Sequence, residues 1–184
     1  ADVAARHGAQ VLHQPQRGYG NACLLGISEA HRLALDIIVI LDGDHSFDPH
    51  ELEHLVAPIQ GNLADMVLGD RTKTAEQGAL LPQQRFGNWV ATSLIWAITG
   101  HRYNDMGPFR AIRTQSLIDM KMEDPNYGWN VEMQLKALHH GFRVLEVPVR
   151  CKRRYAGSSK VSGSLRGAVQ CGAKMILATW RYAR

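Results

Sequence analysis

Cysteine is scarce in this chain. Only Cys23, Cys151 and Cys171 occur in 184 residues, and no C-x-x-C spacing joins them. An odd number without paired spacing argues against a disulfide framework. It predicts free thiols and a reducing, cytoplasmic setting. Long apolar runs are missing too. The longest, Trp89 to Ile98, is about half of the ~20 residues that span a bilayer, and Thr92 and Ser93 interrupt it. Internal repeats, low-complexity tracts and a signal-peptide pattern are absent. So is an initiator Met. The opening ADVAARHGAQVL reads as the middle of a helix running into a short strand at Val11-Leu12, so an N-terminally truncated domain is expected.

The last absence is of charge of one sign. From Val147 onward there is no Asp or Glu but nine basic residues, leaving residues 1–146 with 12 basic residues against all 17 acids. A basic tail on an acidic body points to an anionic partner such as phosphate, a lipid surface or nucleic acid. Nucleic acid is disfavoured, because few exposed-looking aromatics accompany the basic residues and no recognised binding module is present.

What is present is ordinary globular composition, 45% hydrophobic and 21% charged, with length enough for one domain. Strand and helix patterns alternate. Helical periodicity covers Gly20 to Leu35. Asp36 to Leu41 is an apolar strand. Asp48-Pro49-His50-Glu51 spells a helix start with Asp at the N-cap, Pro at N1 and Glu closing a capping box. That helix runs to about Gln60, and a strand follows at Ala64 to Leu68. The rhythm predicts an α/β fold, a mostly parallel sheet flanked by helices. A polar loop from Thr72 to Gln84 precedes an apolar helix at Asn88 to Thr99. A strand at Pro108 to Arg113, a helix at Asn130 to His140 and a strand at Arg143 to Val149 complete the sheet. A basic loop at 150–164 and an amphipathic helix at 165–182 close the single domain of 1–184.

The strand at Ile37-Leu41 ends in Asp42-Gly43-Asp44. Two carboxylates one residue apart repel each other, and a divalent cation is the simplest group to hold them. Mg2+ or Mn2+ fits, bound through few carboxylates plus substrate phosphate oxygens. In open α/β sheets, ligands sit beyond the carboxyl ends of strands, where this pair lies. His50-Glu51-Leu52-Glu53-His54 matches the H-E-x-x-H zinc-protease pattern. It is a poor candidate, because His50 falls in the first helical turn and Glu51 is already used by the cap. Arg153 to Gly163 is glycine-rich, hydroxyl-rich and basic, suited to closing over a pyrophosphate or to a plain surface loop.

Taken in order, seven motifs resemble family 2 glycosyltransferases, and within them the dolichyl-phosphate mannose synthase-like, polyprenyl-phosphate branch. They are Arg17-Gly18-Tyr19-Gly20, Asp42-Gly43-Asp44 with Asp48-Pro49, Gly69-Asp70-Arg71, Asn104 to Ala111, Trp129 to Ala137, Glu146-Val147-Pro148-Val149, and Arg154 with Gly157, Ser159 and Lys160. The resemblance implies a Rossmann-like GT-A fold lacking the family's first strand. It implies inverting transfer from a nucleotide sugar to a lipid phosphate or cell-envelope glycan. Asp42 and Asp44 would hold the metal. With Arg17, Arg154, Ser159 and Lys160 they would bind the donor diphosphate. Asp105 would be the catalytic residue facing the acceptor, with Glu132 and Arg110 on the acceptor side. Met106-Gly107-Pro108 departs from the family's small Ser-Gly before Phe-Arg. With the first strand absent, the chain by itself is expected to be weak or inactive. The C-terminal helix would rest peripherally on the cytoplasmic face of a membrane. The rival readings are a nucleotidyltransferase of similar architecture and a non-catalytic module for anionic surfaces.

Overall fold

The computed structural model describes residues 1–126, 128–153 and 176–182. Its helices are α1 (Asp2–Arg6), α2 (Tyr19–Arg32), α3 (Leu52–Gln60), α4 (Pro82–Thr99), α5 (Thr114–Asp119) and α6 (Trp129–His139). Its strands are β1 (Ile37–Ile40), β2 (Met66–Asp70), β3 (Arg110–Arg113) and β4 (Val144–Pro148), ordered β1-β3-β2-β4. Residues 176–182 are helical. Cys171, the expected loop beyond Arg153 and the start of the expected last helix lie outside the described residues.

The alternating side chains of each strand feed two cores, as the period of two requires. Met66, Leu68 and Ile112 pack with Ile95, Trp129 and Leu135 on the face covered by α2, α4, α5 and α6. Val67 and Ala111 pack with Phe47, Leu55, Ile59 and Phe109 on the other face, under α3. Leu55 and Ile59 are fully buried. They stand at i and i+4 of α3, so one helix face supplies both. Each such side chain contributes roughly 1.5–3 kcal/mol when fully buried.

Three strands, β1, β2 and β4, share one direction, as an α/β reading expects. β3 runs against both of its neighbours. The physical reason is the route of the chain. Residues after α4 return to the end of the sheet where β1 and β2 finish, and β3 must start from there. Gly69 N donates to Phe109 O at 2.9 Å and ties that entry to the end of β2. The inverted strand thus brings the Asp105 segment to the carboxyl ends of β1, β2 and β4.

Several local expectations are corrected. Val11 and Leu12 are 45% and 39% exposed and join no ladder among the described residues. Two residues gain too little to offset the entropy of ordering them. The apolar helix starts at Pro82 rather than Asn88, with Gln84 Oε1 accepting from Leu81 N at 2.8 Å. The capping box is half formed. Asp48 Oδ1 accepts from His50 N at 3.1 Å, but Glu51 turns away and accepts from Arg150 N at 2.8 Å. Glu51 therefore fastens the exit of β4 to the start of α3.

Candidate active site

Parallel strands end together, so β1 delivers Asp42 and Asp44 to the same edge where β2 delivers Asp70 and Arg71. Asp44 Oδ1 accepts from Ser46 N at 3.0 Å and from the Ser46 hydroxyl, which folds the turn back on itself. Asp42 is close enough to Arg71, Tyr19 and Cys23 to act on their charge states. Both carboxylates are partly exposed. Hard oxygen donors at a strand end fit a divalent cation that completes its shell with substrate phosphate. Among the described residues no three His, Cys, Asp or Glu side chains converge as a metal cage. A cation here would therefore lean on its ligand. His50 and His54 are both exposed and, among the described residues, join no group of three such side chains.

Asp105 is 1% exposed and is gripped by Arg71. Its Oδ2 accepts from Arg71 N at 3.0 Å and Arg71 Nε at 2.8 Å, and its Oδ1 from Arg71 Nη2 at 3.1 Å. Such a bidentate fork fixes both planes at once. Burial works against the charge of Arg71. Asp105 beside it, with smaller help from Asp42, outweighs burial and raises the guanidinium above its ordinary range. A pocket of about 100 Å³ opens here, lined by Arg71, Thr72, Gln84, Arg85, Asn88 and Asp105.

The backbone around Asp105 is held from three sides. Glu146 on β4 accepts from Asn104 N at 2.9 Å and from Asp105 N at 3.1 Å. Asn88 on α4 donates to Asn104 O at 2.9 Å and accepts from Met106 N at 2.8 Å. Gln134 on α6 donates to Asp105 O at 3.1 Å. Burial pushes the Glu146 carboxyl upward, and Asp70 and Asp105 push the same way. The two backbone N–H donors oppose them. Gly107 is required by close approach: a Cβ there would lie 3.1 Å from both Asp105 Oδ2 and Gly69 O.

The two expected acceptor-side residues sit deeper than their assignment implies. Arg110 is fully buried in the core facing α6. It donates to Gly107 O and, at 3.5 Å, to Met133 Sδ, and its Nε has no partner among the described residues. Burial lowers its pKa from the ordinary arginine value. Glu132 is also fully buried. It accepts from Glu123 N and Asp124 N, both at 2.7 Å, and pairs with Lys136 at 2.8 Å, its i+4 neighbour. Both carboxylate oxygens thus fasten the loop before α6. That loop seats the start of α2, since a Cβ on Gly20 would fall 1.8 Å from Asp124 O. This contact accounts for Gly20, the second glycine of the Arg17-Gly18-Tyr19-Gly20 motif. Arg17 itself is exposed at the entrance to α2.

Arg154, Ser159 and Lys160 lie outside the described residues. The segment leading to them is anchored beside the paired aspartates. Lys152 N donates to Ser46 O at 2.7 Å, and Lys152 Nζ lies 3.1 Å from Asp48. Arg153 Nε donates to Gln77 O at 2.7 Å. In the sequence, Arg71 and Glu146 fall inside motifs with no partner evident, and Asn88 and Gln134 carry no signal of a role. A glutamate inside the apolar strand Val144–Pro148 was the available signal for Glu146, since a charge in such a strand must find donors.

Comparison with known proteins gives the family and the fold. The family described as glycosyl transferase family 2 matches residues 1–121. An uncharacterised glycosyltransferase of Mycobacterium tuberculosis is 38% identical over 176 residues, covering 92% of this chain and 75% of the relative. Undecaprenyl-phosphate mannosyltransferase of Micrococcus luteus is 29% identical over 163 residues, covering 85% of this chain and 66% of that protein. Among solved structures, glucosyl-3-phosphoglycerate synthase from Mycobacterium tuberculosis in complex with phosphoglyceric acid superposes with a TM-score of 0.72 at 19% identity. That match covers 98% of this chain and 63% of the synthase, so this chain spans less than two thirds of its length. The same synthase in complex with Mn2+, UDP-glucose and phosphoglyceric acid gives 0.70 at 16% identity. The shared fold is GT-A. With the family match running through two thirds of its residues and a relative at 38% identity, this chain belongs to family 2 of the glycosyl transferases.

Proposed function

We propose that this chain carries the transfer site of an enzyme that moves a sugar from a nucleoside-diphosphate sugar to a polyprenyl phosphate, with inversion. The observation that carries this is the gathering of Asp42, Asp44, Arg71 and Asp105 at one sheet edge. The Micrococcus relative supports the acceptor class by name. In the reaction an acceptor phosphate oxygen bonds to the anomeric carbon. The bond from that carbon to the donor diphosphate breaks, and the nucleoside diphosphate leaves.

Each residue has a task in that step. Asp42 and Asp44 would hold a divalent cation, Mg2+ or Mn2+, which supplies charge stabilisation for the leaving diphosphate. The Mn2+ and UDP-glucose of the synthase structure support a divalent ion. Arg17 and the Arg154, Ser159 and Lys160 loop would add donors to the same phosphates. A phosphate acceptor is already anionic and needs no base. Asp105 therefore acts by positioning: it aims Arg71 and faces the acceptor from the pocket they share. Glu132 and Arg110 shape the acceptor side from beneath, by holding backbone. The setting is the cytoplasmic face of a membrane. Among the described residues no helix is long and apolar enough to cross one.

The family assignment favours this over nucleotidyl transfer, which would attach a nucleoside monophosphate rather than a sugar to the acceptor. The test is incubation with radiolabelled UDP-glucose or GDP-mannose, Mn2+ and undecaprenyl phosphate, followed by extraction into organic solvent. Label in the lipid phase, lost in Asp105→Ala, supports the proposal. Label reaching only water-soluble glycan would reassign the acceptor.

A further inference from the structure

Strand β3 carries an arginine where the pattern calls for an apolar side chain. Arg110 alternates with Ile112 on the face toward α6, and its cross-strand partners are Ile40 and Leu68. It is fully buried. Its guanidinium donates to Gly107 O and, at 3.5 Å, to Met133 Sδ, while its Nε has no partner among the described residues. Tyr19, Cys23 and Tyr103 are the polar groups around it. Asp105 acts on its charge without bonding to it, because that carboxylate is already held by Arg71.

An arginine this deep, with no acid bonded to it, works against the fold. A methionine of similar length would fill the same space without a buried charge. The charge therefore has a purpose besides packing, and Gly107 shows what it is. The Gly107 carbonyl closes the Asp105-Met106-Gly107 turn. A Cβ at Gly107 would lie 3.1 Å from Asp105 Oδ2 and 3.3 Å from Arg71 Nε, so the turn and the Arg71 fork are in contact. Displacing Gly107 displaces both. Glu146, Asn88 and Gln134 hold residues 104–106. Arg110 holds the next residue, from beneath.

We infer that Arg110 is a positioning residue for sugar transfer, kept in the core against stability because its guanidinium fixes the Gly107 carbonyl and with it the Asp105–Arg71 pair. The inference rests on the proposed reaction for its purpose. The loosening it predicts in the turn does not depend on that reaction.

The experiment compares Arg110→Met and Arg110→Lys with the unaltered chain by urea unfolding, by hydrogen exchange over residues 103–109, and by transfer from UDP-glucose or GDP-mannose to undecaprenyl phosphate with Mn2+. Arg110→Met removes the charge and leaves one carbonyl unpaired, the smaller of the two costs. Its urea midpoint should stay level or rise. Exchange over 103–109 should quicken by about tenfold or more while the core strands stay protected. Its kcat should fall by about tenfold or more, with Mn2+-dependent UDP affinity unchanged. Arg110→Lys keeps the charge and a donor but not the planar fork, so it should recover part of kcat and gain no stability. Activity then ranks Arg, Lys, Met, and stability does not follow that order. A side chain that only filled the core would lower both together. A clear fall in the urea midpoint of Arg110→Met, undiminished protection over 103–109, or an undiminished kcat would each overturn the inference. If the unaltered chain labels no polyprenyl phosphate, the acceptor reading fails, and the exchange and unfolding results decide on Arg110 by themselves.

Discussion

At the scale of the residue, the proposed chemistry rests on a buried carboxylate held in one orientation. Asp105 takes three hydrogen bonds from Arg71, and its own backbone is pinned by Glu146 and Gln134. Arg71→Lys keeps the charge but cannot make the fork. It is expected to cut transfer by roughly tenfold to a hundredfold, measured as kcat, with nucleotide binding nearly unchanged. Glu146→Ala leaves two backbone N–H donors without their acceptor, at a cost of about 1–3 kcal/mol in a site this sheltered. Urea unfolding should show that loss, and kcat should fall as the Asp105 segment loosens. Glu146→Gln retains an acceptor oxygen and should recover part of both. Asp42 and Asp44 were legible as a carboxylate pair closing an apolar strand, and the structure places them just beyond β1. Arg71 was not, since nothing in Gly-Asp-Arg says which carboxylate lies 34 residues away to receive it.

At the scale of the element, the strands and most helices were readable from periodicity and punctuation. Asp36 to Leu41 contains β1, and Gly141 closes α6 as expected of a helix end. The direction of β3 was not readable. Its apolar pattern is the same whichever way it runs, and only the return path from α4 decides. Two element-scale contacts make predictions. Asp65, just before β2, accepts from Arg143 Nη2 at 2.8 Å and from Arg143 N at 2.9 Å, tying β2 to the start of β4. The Arg143 hydrogen bonds hold its carboxyl down at about 2, against an ordinary 3.8. A depressed carboxyl stabilises the fold above its ordinary value and loses that contribution as pH falls through about 2. Asp65→Asn should therefore flatten the acid limb of stability between about pH 4 and pH 2, read by thermal melts across that range. Gly20→Ala would drive a methyl into Asp124 O and is expected to cost about 1–3 kcal/mol, seen as a lower urea midpoint.

At the scale of the whole molecule, the fold is a device for bringing separated segments to one edge. Three strands end there and the inverted one begins there. The loop after β4 passes the paired aspartates on its way out. This places Asp42-Gly43-Asp44, Asp70-Arg71, Asp105 and Glu146 near one edge although they are far apart in the sequence. Charge follows the same plan, with basic residues concentrated after Val147 and an acid-free stretch on α4. The sequence pattern suggested a membrane contact for the last helix, whose start lies outside the described residues. The exposed face of α4 was not legible there, because Trp89 to Ile98 looks the same in one dimension whether its aromatic side chains are buried or exposed.

The central claim is that this edge is a metal-dependent site for a nucleoside diphosphate. Calorimetric titration of UDP and GDP, with and without Mn2+, into the chain and into Asp42→Ala/Asp44→Ala tests it most directly. Binding that requires Mn2+ and disappears in the double variant is the predicted result. Binding that ignores the metal, or that survives the loss of both carboxylates, would contradict it.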